Sequence, residues 1–549
     1  MARQPVRYRR LREWKRSASW FLSELRRSRT GMFGLVMIIV FVVASVTFPY
    51  YGDTEVIANW NTNLQYFKDK LYPKGVPPCW ADVFSTKKYT SSQIILPGDI
   101  NIVREVEVVD ASNFTTNPRA KGLNVTAVIY RIEIPFMVDG DVVPKDLILV
   151  FDNVTYNQTK GLEIKIGPIK RNIPLVPYIS LFYFERPDGA KLYLVGKGGY
   201  FKHKINENPL GWPPQSYTSN RTIVALRSGI AGIEGFYNSL LASIYDAYGV
   251  NITERSYDAA FRIMDIIFSY DPVETHKLFA GGETEIEDVR ALKGSYKMVL
   301  EFVIPDNKSV ISLERAVLQA SCYGLLGTDT NGRDIWQGLL YGLRWALIIG
   351  LLTSFLSTMF GALYGVIGGY FGGLVDEIML RIAQTIYALP LLPFLIILVW
   401  TFGKAITVWW IIILLVLFSW PGTSFITRSM ALQLKEEPYV EVARALGAGH
   451  ARIVTLYIFP QVLPYVFASI ALSVPGAIVA EASLSFLGLG DVEIVTWGRM
   501  LRDAQLAQAS LSGMWWWIVP PGLGIALVGL SFVMLGYALD AILNPKLRR

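Results

Sequence analysis

Tyr439–Pro464 reads YVEVARALGAGHARIVTLYIFPQVLP and is a charged segment between two of the most apolar parts of the chain. Two glutamates precede Pro438, which favours a helix start because acids suit the positive dipole end and proline fits the first turn. Gly447 is suited to end this helix in a left-handed conformation, and a second helix from about Ala451 continues into the apolar region. The segment therefore predicts a short, rigid projection that docks in a cleft of a cytoplasmic partner.

The remainder of the chain has the composition of a membrane protein. It has 549 residues, 52% of them hydrophobic, and a mean hydropathy of +0.34. Six runs without Asp, Glu, Lys or Arg are each close to, or longer than, the ~20 residues that cross a bilayer as a helix. They are Gly31–Pro49, Trp345–Val375, Ile382–Gly403, Ala405–Thr427, Ile453–Ala480 and Ala504–Leu539. One such run could be a buried core helix, but six together predict six transmembrane helices.

Basic residues set the expected orientation. The first thirty residues hold ten Lys or Arg against Glu13 and Glu24, which predicts a cytoplasmic amino terminus. Six crossings return the carboxyl terminus to the same side, so the net charge of +7 is a membrane signal and not a nucleic-acid patch. Trp14 and Trp20 interleave with the arginines of residues 1–30, as in an amphipathic helix on the membrane surface, with a disordered basic tail as the alternative.

A large polar insert, residues 51–322, separates the first crossing (31–50) from the second and is expected outside the cell. Acceptor triplets for N-glycosylation occur only in this insert. They begin at Asn113, Asn124, Asn153, Asn157, Asn220, Asn251 and Asn307. Cys79 and Cys322 lie near its two ends, where they form either a disulfide, which is allowed outside the cell, or two buried free thiols.

The insert is predicted to be an α+β domain. Residues of about 100–205 read mostly as strands, including NIVREVEVV, NVTAVIYRIEI and KDLILVF, with a hairpin expected around Asp188-Gly189. Residues of about 222–290 read mostly as helices, from TIVALRSGI onward, and KMVLEFVI returns to strand. His203 and His276 have no partner at metal-ligand spacing, so each is expected to be a surface or structural residue.

The opening stretch resembles the coupling motif of ABC importer permeases. EVARALGAGHARIVTLYIFP (Glu441–Pro460) matches the family's Glu-Ala-Ala, three residues, Gly, and a Pro thirteen residues later, with Val442 in place of the first Ala. In that family this loop inserts into a groove of the ATP-binding subunit. The resemblance implies a coupling helix within residues 436–450. Its expected docking residues are Tyr439, Glu441, Ala443, Arg444 and Gly447.

Further segments are similar to one subfamily, the dipeptide/oligopeptide permeases. They are LLGTDTNGRDIWQGLLYGLR (Leu325–Arg344), GGYFGGLVDEIMLRIAQTIYALP (Gly368–Pro390), EASLSFLGLG (Glu481–Gly490) and TWGRML (Thr496–Leu501). The resemblance covers about residues 8–50 and 324–549 and leaves the insert out. It implies an α-helical membrane protein with six transmembrane helices, the type I ABC importer permease fold, with a permease core at 323–549.

Charges within or next to membrane helices are functional candidates by default. Glu481, with Ser483 and Ser485 beside it, is expected at the translocation pathway or its gate. Asp376 and Glu377 are instead expected in a solvated cytoplasmic loop.

The chain contains no Gly-x-x-x-x-Gly-Lys-Ser/Thr phosphate loop, so the energy source is expected to be a separate subunit, with no cofactor or catalytic site in this chain. The resemblance implies four kinds of partner: a second related permease, two ABC ATPase subunits, an extracellular substrate-binding protein and the lipid bilayer. Short peptides are the expected cargo, with oligosaccharides as the alternative. A rival of another class is a membrane-anchored outer enzyme or receptor. The sequons and the size of the insert suggest an archaeal cell surface.

Overall fold

The computed structural model describes most of the chain. The described residues are 24–52, 60, 73–84, 88–115, 117–157, 162–166, 169–173, 175, 177–196, 216–219, 222–226, 234–252, 256–280, 289–402 and 407–543. The surface helix is expected within residues 1–30, of which 1–23 lie outside the described residues, as do His203 and Asn220. The chain divides into two compact units, Asn63–Arg333 and the remainder, Met1–Thr62 with Asp334–Arg549.

Helices dominate the second of these units, which we call the membrane unit, and a smaller set lies in the insert unit, Asn63–Arg333. In chain order they are α1 (Arg29–Tyr51), α2 (Glu234–Tyr248), α3 (Tyr257–Phe261), α4 (Ile263–Phe268), α5 (Pro272–Ala280), α6 (Ile335–Phe371), α7 (Gly373–Ala388), α8 (Leu391–Phe402), α9 (Val408–Ser419), α10 (Pro421–Leu434), α11 (Pro438–Ala445), α12 (His450–Ile453), α13 (Phe459–Phe486), α14 (Trp497–Leu506) and α15 (Trp515–Leu543). A π-helical turn, Val454–Ile458, makes α12 and α13 one continuous helix.

Within the described residues, four helices are long and apolar enough to cross a membrane: α1, α6, the continuous α12–α13, and α15. Two bent pairs add a candidate each, α7 with α8 at 81° and α9 with α10 at 41°, so the number of spans is four to six. The bends fall beside Pro390 and Pro421, because proline lacks the amide hydrogen that continues a helix.

The last apolar run is not one helix. The sequence predicts a single helix over Ala504–Leu539, but α14 ends at Leu506 and α15 begins only at Trp515. Between these helices, Gln508 and Gly513 adopt positive φ angles of 53° and 67°, which a continuous right-handed helix does not contain. A run without charges therefore overestimates the length of this helix, since Gln and Ser in a turn leave no charge signal.

The insert unit contains twelve described strands. They are β1 (Gln93–Ile95), β2 (Asn101–Asp110), β3 (Asn124–Val138), β4 (Asp146–Asn157), β5 (Leu162–Ile166), β6 (Ile169–Ile173), β7 (Tyr178–Glu185), β8 (Lys191–Val195), β9 (Ser216–Ser219), β10 (Thr222–Ala225), β11 (Gly294–Ile304) and β12 (Val310–Gln319). All pairings are antiparallel. One five-stranded sheet has the order β1-β12-β4-β10 with β9 also on β4, a second has the order β2-β3-β11-β7-β8, and β5 pairs with β6.

Most strand predictions are confirmed. NIVREVEVV, NVTAVIYRIEI and KDLILVF form β2, β3 and β4, and the expected hairpin joins β7 to β8 with Gly189 at a φ of 83°. One helix prediction is wrong: Thr222–Ala225 is β10, paired with β4, and the next described helix begins at Glu234. Thr, Ile and Val are β-branched residues that pack well on a pleated surface, which explains the strand.

One hydrophobic cluster draws on both large sheets and on α2–α5. Phe136 of β3 stacks on Tyr296 of β11 with ring centroids 5.6 Å apart, and Phe268 of α4 meets both rings edge-on. His276 is fully buried in this unit, and its Nε2 lies 2.5 Å from the Tyr237 hydroxyl. Its position is structural, inside the core of the insert.

The ends of the insert unit are held together at its base. Cys79 and Cys322 form a disulfide. Beside it, the Tyr323 amide donates to the Pro77 carbonyl at 2.9 Å, and the Thr328 hydroxyl donates to the Pro73 carbonyl at 2.7 Å. These bonds explain why the unit extends to Arg333, beyond the predicted limit of 322.

Candidate coupling site and membrane core

The predicted projection is present as α11 and the turn that follows it. Pro438 occupies the first turn and Glu437 the N-cap position. At the other end the Gly447 amide donates to Arg444 and the Ala448 amide to Ala443, both at 3.0 Å, with Gly447 at a φ of 80°. This pair of bonds is the Schellman arrangement, which satisfies the last carbonyls of the helix and requires glycine at the left-handed position.

The exposed face of α11 is mixed in character. Tyr439, Val442 and Leu446 are 38%, 58% and 82% exposed and share one side of the helix, with Glu441 and Arg444 also at the surface. Burial and the nearby Glu437 raise the pKa of the Tyr439 phenol. Exposed apolar side chains next to exposed charges make this side of α11 a candidate contact surface. We call Tyr439, Glu441, Val442, Arg444 and Leu446 the α11 face.

Ala443 does not belong to that face. The sequence groups it with the docking residues, yet it is only 5% exposed and points inward together with Val440. The small side chain of Ala443 lets α11 pack closely on the rest of the protein. Ala443 therefore lies on the inward side of α11, whereas Val442 and Leu446, which the sequence did not single out for docking, carry the exposed apolar surface; the docking role of Ala443 stays a prediction.

The inward face of α11 packs on the ends of the membrane helices. Val440 belongs to a cluster with residues of α6, α10 and α13, including Tyr370, Ala431 and Val462. The Tyr370 hydroxyl also lies 2.8 Å from His450 Nδ1, which joins the end of α6 to the start of α12. The α11 hairpin is thus anchored to three helices of the membrane unit.

An ion pair joins α7 to α10 near this anchor. Arg428 donates from Nε to Asp376 Oδ1 at 2.5 Å and from Nη2 to Oδ2 at 2.6 Å. Asp376 is 8% exposed, so the expectation of a solvated loop residue is wrong, while Glu377 is exposed. Sequence reasoning missed Arg428 altogether, because it closes a membrane-spanning run and its partner lies 52 residues away.

Helices α6 and α10 cross at close range. A Cβ atom added at Gly361 or Gly365 would overlap the carbonyl oxygens of Trp420 or Ser424, and one at Gly369 would lie 2.6 Å from that of Arg428. Small residues at this spacing permit such close packing of membrane helices. The crossing fixes α10, and therefore Arg428, against α6.

Glu481 and Ser485 are buried within the chain. The Ser485 hydroxyl donates to Glu481 Oε1 at 2.6 Å, and Thr496 also hydrogen-bonds this carboxyl group. Ser483 is half-buried and its hydroxyl donates to the Val479 carbonyl of its own helix. A Cβ atom at Gly498 would overlap the Ala482 carbonyl. The EASLSFLGLG and TWGRML segments therefore form one packed junction between α13 and α14.

Four of the predicted glycosylation acceptors, Asn124, Asn153, Asn251 and Asn307, are exposed. Asn113 is half-buried, and the side chain of Asn157 lies outside the described residues. Within the described part of the chain, no three His, Cys, Asp or Glu side chains come together as a metal site.

Comparison with known proteins identifies the membrane unit. Residues 357–549 match the family described as binding-protein-dependent transport system inner membrane component. The chain is 36% identical to the dipeptide transport system permease protein DppC of Bacillus subtilis over 45% of its own length and 77% of that protein. It is 39% identical to DppC of Escherichia coli, over 41% of this chain and 74% of that protein. The oligopeptide transport system permease protein OppC of Bacillus subtilis is 35% identical, over 41% of this chain and 72% of that protein.

The chain therefore belongs to this family of transport permeases, among its dipeptide and oligopeptide members. It is a multi-pass membrane protein, and the family is a class of permeases, which are not themselves ATPases. The insert unit precedes residue 357 and lies outside the family match.

Proposed function

We propose that this chain is the permease subunit of an ATP-driven importer and forms half of a pathway for short peptides. The names of its relatives, dipeptide and oligopeptide transport permeases, support the cargo class. The observation that carries the proposal is the α11 hairpin, an exposed apolar and charged face on a helix that is anchored to three membrane helices. The partners are a second permease, two ATPases and an extracellular binding protein.

The α11 face receives the force. When the ATPases close, they push on Leu446 and its neighbours, and the inward side chain of Val440 transmits the push to α6, α10 and α13. The Tyr370–His450 contact holds the second arm of the hairpin to the same helix ends. The membrane unit then switches between inward- and outward-facing states, a rigid-body change of the alternating-access kind.

The insert unit belongs outside the cell in this proposal, with both bent pairs crossing, six spans and cytoplasmic termini. Four exposed sequons and a disulfide suit an oxidising exterior. We propose glycosylation at Asn124, Asn153, Asn251 and Asn307, and an archaeal surface remains part of the proposal. Glycopeptide mapping of protein from native membranes tests both the acceptors and the orientation.

For Glu481 and Ser485 we propose a structural role: they fix the helices that form the pathway and do not line it. Their mutual hydrogen bond and burial support a function in fixing the α13–α14 junction rather than direct contact with cargo. Half-buried Ser483 is the better candidate for a surface that faces the pathway.

A matched pair of substitutions tests ATPase docking. Leu446 and Leu511 are equally exposed, at 82%, but only Leu446 lies on the α11 face. Leu446→Glu should strip the ATPases from the purified complex, weakening the interface by about 2 kcal/mol as for an apolar hot spot. Leu511→Glu should leave them bound. The measurement is ATPase recovery when the tagged chain is purified gently from native membranes.

Two outcomes would contradict the proposal. One is recovery of the unaltered chain with no second permease and no ATPase, and the other is full ATPase retention by Leu446→Glu. The ligand released from the co-purified binding protein then decides the cargo, and an oligosaccharide in place of a peptide would favour the alternative substrate class.

A further inference from the structure

Helix α7 is attached to the membrane unit at few points. The structure describes α7 in full, and its buried residues are Asp376 and Ala383. The Tyr364 hydroxyl adds a hydrogen bond to the Met379 carbonyl at 2.9 Å. Large apolar side chains elsewhere on α7, such as Leu374 and Ile378, are 76% and 60% exposed. The Tyr387 ring also meets Phe425 of α10 edge-on, with centroids 5.5 Å apart. The Asp376–Arg428 pair is therefore a principal polar attachment of this helix to α10.

The two ends of α7 allow it to move as a unit. Gly372, which separates α7 from α6, and Gly373, the first residue of α7, have φ angles of 66° and 53°, which only glycine adopts at low cost. Beyond Ala388 the chain turns by 81° into α8. A helix between a glycine pair and a proline bend can change its angle without disturbing its own hydrogen bonds.

Arg428 is by contrast rigidly placed. It lies on α10, which crosses α6 at the closest glycine contacts, and α10 leads through a three-residue connection into α11. Arg428 therefore follows any displacement of α11 and α10. Both of its guanidinium bonds are short and end on the two oxygens of one carboxylate, the bidentate geometry that fixes orientation as well as distance.

We infer that the Asp376–Arg428 pair is a positioning link that couples α7 to the α10–α11 arm, so that ATPase movement reorients α7. The inference rests on the proposed importer function and adds two residues to it. With the ion pair intact, α7 moves together with α10 and α11. Without it, α11 and α10 still respond to the ATPases, but α7 no longer follows and ATP is hydrolysed without transport.

The test uses the whole complex in proteoliposomes, with its binding protein. Uptake of an equimolar mixture of unblocked di- to pentapeptides is measured by mass spectrometry beside ATP hydrolysis. Asp376→Asn should lower the peptide taken up per ATP by about tenfold, a usual size for a coupling effect, while hydrolysis stays within about twofold. The charge swap Asp376→Arg with Arg428→Asp should recover part of the loss.

Glu377→Gln is the matched control. Glu377 is the next residue of α7 and also faces an arginine, but its side chain is 63% exposed and 3.9 Å from Arg381. This variant should take up as much peptide per ATP hydrolysed as the wild type. Equal losses of uptake and hydrolysis in Asp376→Asn, or the same uncoupling in Glu377→Gln, would overturn the link. If Asp376→Asn fails to assemble, Arg428→Lys takes its place, because lysine keeps the positive charge but cannot make the two parallel hydrogen bonds. It must then show the same loss of peptide taken up per ATP.

The two failures are distinguishable. A wild-type complex that takes up no peptide would overturn the proposed peptide cargo, on which this assay of the link rests. A wild-type complex that transports while Asp376→Asn transports equally well would overturn only the link.

Discussion

Two opposing effects act on the pKa of the Asp334 carboxyl: burial raises it, and hydrogen bonds from the backbone lower it. Asp334 is the N-cap of α6, where its carboxylate accepts a hydrogen bond from the Trp336 amide at 2.9 Å, yet it is 9% exposed. Burial is the larger effect and raises the pKa of Asp334 from 3.8 to about 6. The folded protein therefore favours the protonated carboxyl. The stability that this preference supplies is complete below pH 3.8 and is lost as the pH rises through 6.

The first prediction concerns this residue. Asp334→Asn keeps a good N-cap and removes the buried charge, so at pH 7 it should raise the free energy of unfolding by up to about 3 kcal/mol. The advantage should vanish near pH 4, where the wild-type carboxyl is protonated. Thermal unfolding of the purified protein between pH 4 and pH 8 measures both effects.

Asp110 provides a control, because its pKa is shifted in the opposite direction to that of Asp334. It caps a short 3-10 helix at Ala111–Asn113, and hydrogen bonds from Ser112 and Gly122 lower the pKa of its exposed carboxyl. Its contribution is present above pH 3.8 and is lost below it, so Asp110→Asn should destabilise the protein at pH 7 and become neutral in acid. A pH-independent effect of Asp334→Asn would show that burial does not govern this carboxyl.

Single residues mark the limit of what the sequence predicts. The Glu-x-x-x-x-x-Gly spacing identified the α11 hairpin and the need for Gly447, because turn chemistry is local. Burial is not local: Ala443 and Asp376 both point inward, and each does so because of partners on other helices. The motif therefore predicted the helix and its end, but not which of its side chains are exposed.

At the scale of elements, the crossing of α6 and α10 is the place where force enters the membrane unit in the proposed importer. Both helices contribute to the cluster that receives Val440 of α11. The crossing is close because Gly361, Gly365 and Gly369 lie along one side of α6. Any side chain there must push the two backbones apart.

The second prediction tests this crossing. Gly365→Ala puts a methyl group against the Ser424 carbonyl and 2.9 Å from the Arg428 amide, so it should destabilise the membrane unit by about 1–3 kcal/mol through overpacking. Gly476→Ala is the control, because a Cβ at that helical position meets no atom within 4 Å. Alanine there should stabilise the helix by about 0.5–1 kcal/mol. Melting temperatures in detergent that fall equally in both variants would contradict this account.

Elements of the insert were easier to predict than those of the membrane unit. Strands β2, β3 and β4 alternate or repeat β-branched residues over long stretches, and Gly189 marks their neighbouring hairpin. In the membrane unit, apolar composition identified the helices but not which prolines break them: the chain bends at Pro390 and Pro421, whereas Pro475 lies inside the continuous helix α13. Proline inside an apolar run is compatible with a kink or a full bend, and only packing against neighbouring helices decides between them.

The whole molecule consists of a family permease with a large additional unit inserted after its first helix. Within the insert unit, the disulfide and the hydrogen bonds around Pro73, Pro77 and Thr328 hold the first and last described parts of the unit together. The sequence identified the two cysteines but left their pairing open, because spacing carries no information on distance in the fold.

The third prediction concerns this closure. Cys79 and Cys322 are 243 residues apart, so their bond removes much of the freedom of the unfolded insert. Replacing both by serine should lower the free energy of unfolding of the insert by about 5 kcal/mol, as the chain-entropy account predicts for a loop of this length. The measurement is the denaturant midpoint of the insert, followed by resistance to proteolysis, in the wild type and in the double variant.

Reduction of the wild type is the companion experiment, because it breaks the same bond without changing the sequence. Reduced wild type and the double variant should unfold at the same denaturant concentration, below that of the oxidised protein. Reduction leaves the hydrogen bond from Tyr323 to Pro77 intact. Without denaturant, the reduced protein should therefore keep the native contacts between the two ends of the insert, and it should still take up peptide. Equal midpoints for oxidised and reduced protein would mean that these neighbouring bonds, and not the disulfide, close the insert.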